Sequence, residues 1–157
     1  MSQSTGSVKN ELLRVVIREV IPDLANGQFR IVLQDMGCER FLSIWVGYAE
    51  GNAIVRGLEH TQLPRPMTHD LLASVVKTLG AQVERVVITD LHEHIFYAEI
   101  WLDTADGMQH IDTRPSDAIA LAVRLNSPLY IHASIADKMA DELDELFDRL
   151  EPSETVH

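Results

Sequence analysis

Two short blocks of this 157-residue chain carry the side chains best suited to chemistry. The first is Thr68-His69-Asp70, preceded by Arg65 between two prolines. Imidazole titrates near neutral pH, so His69 can take or give a proton in a hydrolytic step. Arg65, stiffened by Pro64 and Pro66, offers a planar fork that suits phosphate. The second block holds Asp112, Arg114, Ser116 and Asp117. An arginine beside a helix amino end is a ready anion seat, because the first amides lack partners and the helix dipole is positive there. The carboxylates Asp70, Asp112 and Asp117 could instead ligate Mg²⁺ or another divalent cation through oxygen. A plainer reading stands beside each. Thr68 could serve as a helix cap with Asp70 offsetting the dipole, Ser116 or Asp117 could cap the second helix, and Asp112 could pair with Arg114 at a strand end. Glu50, at the start of another helix, is a further candidate if the two halves of the chain face each other.

The elements that must position these residues follow from spacing. From Ile111 to Ile131 the chain reads as a strand end, a helix started by Pro115, and a buried strand over 129–131. Proline has its φ preset for a first helical turn and lacks an N–H that the turn would leave unpaired. Ala118, Leu121, Ala122 and Leu125 recur at i, i+3, i+4 and i+7, one apolar stripe with small members. After Thr68 as N-cap, with Met67 and Leu72 as a hydrophobic staple, Leu71, Leu72, Val75, Val76 and Leu79 form the expected buried face of a helix stopped by Gly80. Alternation around Leu13–Ile17 and Phe29–Leu33, with turn residues 22–27 between, predicts a hairpin. A strand over 41–46 and a helix over 50–58, with Ala53, Ile54 and Gly57 inward, complete the first half. Strands over 83–89, 95–102 and 108–113 lead back to the central block.

This order gives two strand-strand-strand-helix units. Asn52-Ala53-Ile54 echoes Asp117-Ala118-Ile119, a sign of internal duplication. The expected class is α+β with mainly antiparallel sheets and a C-terminal amphipathic helix over 134–150, where Ile135, Met139, Leu143, Leu146, Phe147 and Leu150 keep helical spacing. A flexible N-terminus over 1–11, one domain over 12–133, that helix, and a disordered tail over 151–157 divide the chain.

Net charge is −11, with eight acidic residues against Lys138 and Arg149 in 137–157. Such a chain repels polyanions at long range, which weighs against nucleic acid as a partner. No apolar run reaches the ~18 residues of a membrane span, and the polar start gives no export signal. A single cysteine, Cys38, excludes a disulfide framework and a cysteine zinc site. A cytoplasmic location is expected. His92 and His94 share a strand face, but they sit at a hairpin tip without further ligands. Glu59 and His60 fit a solvated loop, and Trp45, Tyr97 and Trp101 fit sheet-face packing. Nucleotide-binding glycine loops are missing, so no organic cofactor is expected.

The blocks Arg65-Pro66-Met67-Thr68-His69-Asp70-Leu71-Leu72 and Asp112-Thr113-Arg114-Pro115-Ser116-Asp117-Ala118-Ile119-Ala120-Leu121-Ala122 together resemble the bifunctional nuclease family. The likeness runs from about Leu12 to Ile131. It implies an α+β fold and nuclease activity on DNA and RNA, as described for plant members. Those relatives carry an additional C-terminal helical module where this chain has its acidic tail. The matching positions are Arg65, Thr68, His69, Asp70, Asp112, Arg114, Ser116 and Asp117, with Glu50 a weaker match. On this reading His69, Asp117, Arg114 and Glu50 are catalytic, while Arg65, Thr68, Arg114 and Ser116 hold the substrate. Asp70, Asp112 and Asp117 would then ligate the metal. The alternative is a non-enzymatic module that binds an anion or a protein and assembles as a homo-oligomer, a dimer or larger.

Overall fold

The computed structural model describes residues 11–37 and 40–137. Strand β1 (Leu12–Asp23) turns back through Asn26, whose amide nitrogen donates to Asp23 (2.9 Å), and Gly27, at φ +61°, into β2 (Gln28–Asp35). β3 (Phe41–Gly47) pairs antiparallel with β2 and runs directly into α1 (Tyr48–Leu58). α2 (Thr68–Thr78) comes next, then a second meander of β4 (Gln82–His92), β5 (Ile95–Thr104) and β6 (Gly107–Thr113). Glu93 and His94, both at positive φ, make the two-residue turn between β4 and β5 that matches the twist of a hairpin. α3 (Pro115–Leu125) carries the chain to β7 (Leu129–His132), and Asn126 ends the helix in the left-handed region.

All seven strands form one sheet in the order β3-β2-β1-β7-β4-β5-β6. β7 fastens the two meanders together, lying antiparallel to β1 and parallel to β4. This corrects the expectation of mainly antiparallel sheets: there is one mixed sheet. The parallel pairing arises because α3 is a crossover connection, which returns the chain in the same direction. The element order does place a helix after each three-strand meander.

α1 and α2 each pack against α3, and all three helices lie against one face of the sheet. Ile31, Leu33, Leu42, Ile54, Ile88, Ile119, Leu121 and Ile131 are wholly buried between the layers. α1 lies so close to the sheet and to α3 that two glycines become obligatory. A β-carbon on Gly51 would overlap the Phe29 ring, and one on Gly57 would strike Val123 and Arg124. Gly51, rather than the expected Ala53, is the buried residue of that turn; Ala53 packs at the margin of the core.

α2 departs most from expectation. None of the five residues of its expected face is buried: Leu71, Leu72, Val75 and Leu79 are exposed and Val76 is half-buried, while Ala73 is the buried residue of the helix. The helix meets α3 and β4 along a narrow strip, and the longer apolar side chains face outward. Its start differs too. Met67 occupies the N-cap position, Thr68 is already helical, and the Met67 N–H donates to Asp70 Oδ2 (2.9 Å). Likewise Arg114 is the N-cap of α3, and neither Ser116 nor Asp117 caps it through its side chain. Residues 133–137 are helical, with Ile135 and Ala136 buried. The rest of the expected helix to 150, the termini over 1–10 and 151–157, and Cys38 lie outside the described residues.

Candidate functional site

The first turns of all three helices meet at one place. α3 begins where β6 ends, so Arg114 stands at the junction and Asp117 faces out of the first turn. Asp117 Oδ2 accepts from Arg114 Nε at 2.9 Å, and Oδ1 accepts from Arg114 Nη2 at 3.2 Å. This is the two-pronged geometry in which guanidinium and carboxylate bind best. From α2, His69 Nε2 lies 2.9 Å from the same Oδ1. From α1, Glu50 Oε1 accepts from Arg114 Nη1 at 3.4 Å. Glu50 folds back over the start of its own helix, where a β-carbon on Gly47 would collide with its carboxylate.

The result is a chain of four side chains, Glu50–Arg114–Asp117–His69, drawn from a stretch of sequence that runs from Glu50 to Asp117. Its members differ in access to solvent: Arg114 is 65% exposed while the His69 side chain is 13% exposed. Arginine has five N–H donors and three are used here, so two remain to face solvent.

Burial pushes the Asp117 carboxyl up, but the hydrogen bonds from Arg114 and His69, with their charges, outweigh it and hold the group below the usual carboxylate range. The bond to Asp117 raises the Arg114 guanidinium further above its already high value. Asp117 is therefore an anion at neutral pH. The imidazole can donate Nε2–H to it, which fixes one tautomer and leaves Nδ1 as the free acceptor.

Asp70 belongs to a neighbouring pair. Its Oδ1 accepts from Arg124 Nε at 2.7 Å while its Oδ2 takes the Met67 amide. The Met67 amide foremost, and then Arg124, hold its carboxyl below the ordinary range. Arg124 escaped the reading of the sequence. The available signal was its position seven residues after Asp117, two helical turns along the same face.

The other candidates lie apart from the four. Asp112 is paired in register with Glu99 on β5. Glu99 binds the Trp101 indole N–H at 3.1 Å and lies 3.4 Å from His110 Nδ1, on the sheet face turned away from the helices. Arg65 and Thr68 are exposed and Ser116 is buried. Among the described residues no hydrogen bond or ion pair joins any of them to the chain of four.

Both oxygens of Asp117 and both of Asp70 are taken by cations or amides. Among the described residues, no group of three or more His, Cys, Asp or Glu side chains could hold a metal. Nor is any described helix long and apolar enough to cross a membrane.

Comparison with known proteins places this geometry in a family. An uncharacterized protein of Mycobacterium tuberculosis (strain ATCC 25618 / H37Rv) is 34% identical over 119 residues, covering 73% of this chain and 71% of its own length. The bifunctional nuclease 2 of Oryza sativa subsp. japonica is 28% identical over 119 residues, covering 74% of this chain and 37% of its own. The bifunctional nuclease 1 of Arabidopsis thaliana is 25% identical, with the same two coverages of 74% and 37%. The chain thus spans little more than a third of the plant proteins it matches. The family model for the bifunctional nuclease domain covers residues 31–144, which take in both motif blocks and all four members of the site; the chain belongs to the bifunctional nuclease domain family.

Proposed function

We propose that the protein is a nuclease whose phosphodiester chemistry is carried by His69 and Arg114. The observation that supports this most is the shared carboxylate: Asp117 holds an imidazole and an exposed guanidinium 2.9 Å from its two oxygens. Membership of a family whose plant relatives are named bifunctional nucleases gives the substrate class.

In this reading the two solvent-facing N–H groups of Arg114 take the non-bridging oxygens of the scissile phosphate. His69 Nδ1 accepts the proton of the attacking water, whose oxygen bonds to phosphorus as the bond to the leaving ester oxygen breaks. The leaving oxygen takes its proton from solvent. Asp117 steadies the imidazolium that forms, as a carboxylate behind a catalytic histidine does. Glu50 positions Arg114 from the other side. Arg114 also supplies charge compensation that a metal would otherwise provide.

The test is cleavage of plasmid DNA and of single-stranded RNA by purified protein, with Mg²⁺ or with EDTA. His69→Ala should lower the rate about 10²–10⁴-fold, the usual contribution of a positioned acid–base group. Asp117→Asn should lower it as well, and EDTA should leave it unchanged. Equal rates for wild type and both variants would end the proposal, and loss of activity in EDTA would return the reaction to a metal.

The exposed apolar stripe of α2 favours a second reading, a non-enzymatic module that docks a protein or a further copy of itself. Absence of cleavage together with self-association that Leu71→Glu abolishes would support it.

A further inference from the structure

Beyond the four-residue site, the structure holds a cationic hollow. The C-terminal half of α1, the loop after it, the side of α2 that carries Asp70 and Ala73, and Arg124 of α3 line a cleft of about 290 Å³. Arg56, His60, Ser74, Lys77, Asp70 and Arg124 line it. Arg124 is only 8% exposed, fixed by Asp70 and by the Ala120 carbonyl at 2.8 Å. Asp70 is the one carboxylate of the lining, and Arg124 already meets it. Arg56 and Lys77 have no hydrogen bond or ion pair from their side chains among the described residues.

Three cations against one carboxylate leave two positive charges in a chain whose net charge is −11. We propose that this cleft is a phosphate seat. Arg56 and Lys77 are its binding groups, Ser74 and His60 supply further polar contacts, and the Asp70–Arg124 pair is its rigid floor. Arg56 also offsets the partial negative charge at the carbonyl end of α1.

Position gives the seat its role. His69 faces Asp117 while the next residue, Asp70, lines the cleft, so the four-residue site and the cleft flank the first turn of α2. A single strand held with one phosphate on Arg114 can place another in the cleft. This role rests on the nuclease reading; the phosphate chemistry of the seat does not.

The experiment compares wild type with the double variant Arg56→Gln, Lys77→Gln. Both residues are at least partly exposed, and an unchanged denaturant midpoint checks the fold. Each protein is titrated with a fluorescein-labelled single-stranded oligonucleotide over a range of salt, and separately with inorganic phosphate and a 5′-mononucleotide. A strand seat predicts at least about tenfold weaker oligonucleotide binding in the double variant, the loss expected when a charged hydrogen bond is removed. The slope of log affinity against log salt should flatten by about 1.4, or 0.7 for each lost cation. If phosphate and mononucleotide bind wild type but not the variant, while the oligonucleotide is indifferent, the seat stands and its ligand is a free anion. Identical titrations for both proteins, or no binding of any probe by wild type, overturn the seat. A wild type that fails to cut but binds phosphate through Arg56 and Lys77 refutes the nuclease reading and leaves the seat intact.

Discussion

α2 and α3 make an instructive pair. Each has eleven residues, an apolar stripe and an acidic residue in its first turn, yet α3 buries seven residues and α2 buries one. The difference lies in the side chains at the contact. Ala118, Ala120 and Ala122 let α3 sink between α1, α2 and the sheet, with Ile119 and Leu121 filling the space beneath. α2 carries Leu71 and Val75 where α3 carries Ala118 and Ala122, and only Ala73 is buried. An apolar stripe therefore states that a helix has a side to bury. It does not state how much of that side finds a partner. The consequence for the site is a division of labour: α3 supplies Asp117 from a fixed position, and α2 lays His69 against it from the margin of the fold.

This contrast can be broken most sharply by truncation in the deep helix. Leu121→Ala should cost about 2–5 kcal/mol in denaturant unfolding, the range for removing a buried leucine side chain. A cost below 1 kcal/mol would mean that the interior beneath α3 collapses to fill the space.

Acid should produce a smaller effect, and one shared by both helices. Asp117 and Asp70 ionise at lower pH in the folded chain than the usual 3.8. Their stabilising contribution is therefore present above that value and lost as pH falls through the depressed folded values. Asp117→Asn and Asp70→Asn should each flatten the fall of stability below about pH 4. An unaltered acid limb in both variants would show that neither carboxylate is bound as described.

The smallest effect belongs to the exposed helix. Leu79→Ala, at a position 79% exposed, should change stability by no more than about 0.5 kcal/mol. A larger loss in the isolated protein would mean that this face of α2 is covered in solution.

Much of the fold was legible before any coordinates because its signals are local. Alternation marked β1 and β2, Pro115 marked the start of α3, and Gly80 marked the end of α2. Each reports on a chain conformation that neighbouring residues decide among themselves. The motif blocks likewise named His69, Arg114 and Asp117. Local pattern failed wherever the outcome depended on a distant partner. The place of β7 between β1 and β4, and with it the mixed sheet, was one such case. The outward face of α2 was another.

By itself, then, the sequence determined the elements and the residue types available for chemistry. Only the tertiary structure decided which of those residues face one another. Asp112 sits two residues before Arg114, yet it is still inside β6, in register with Glu99, whereas Arg114 lies past the end of the strand as the N-cap of α3. Glu50 lies sixty-four residues before Arg114, yet the packing of α1 on α3 brings their side chains to 3.4 Å. Nearness along the chain fixes direction only within one element. Nearness in space is set by helix and sheet packing, which joins residues with no sequence relation to each other.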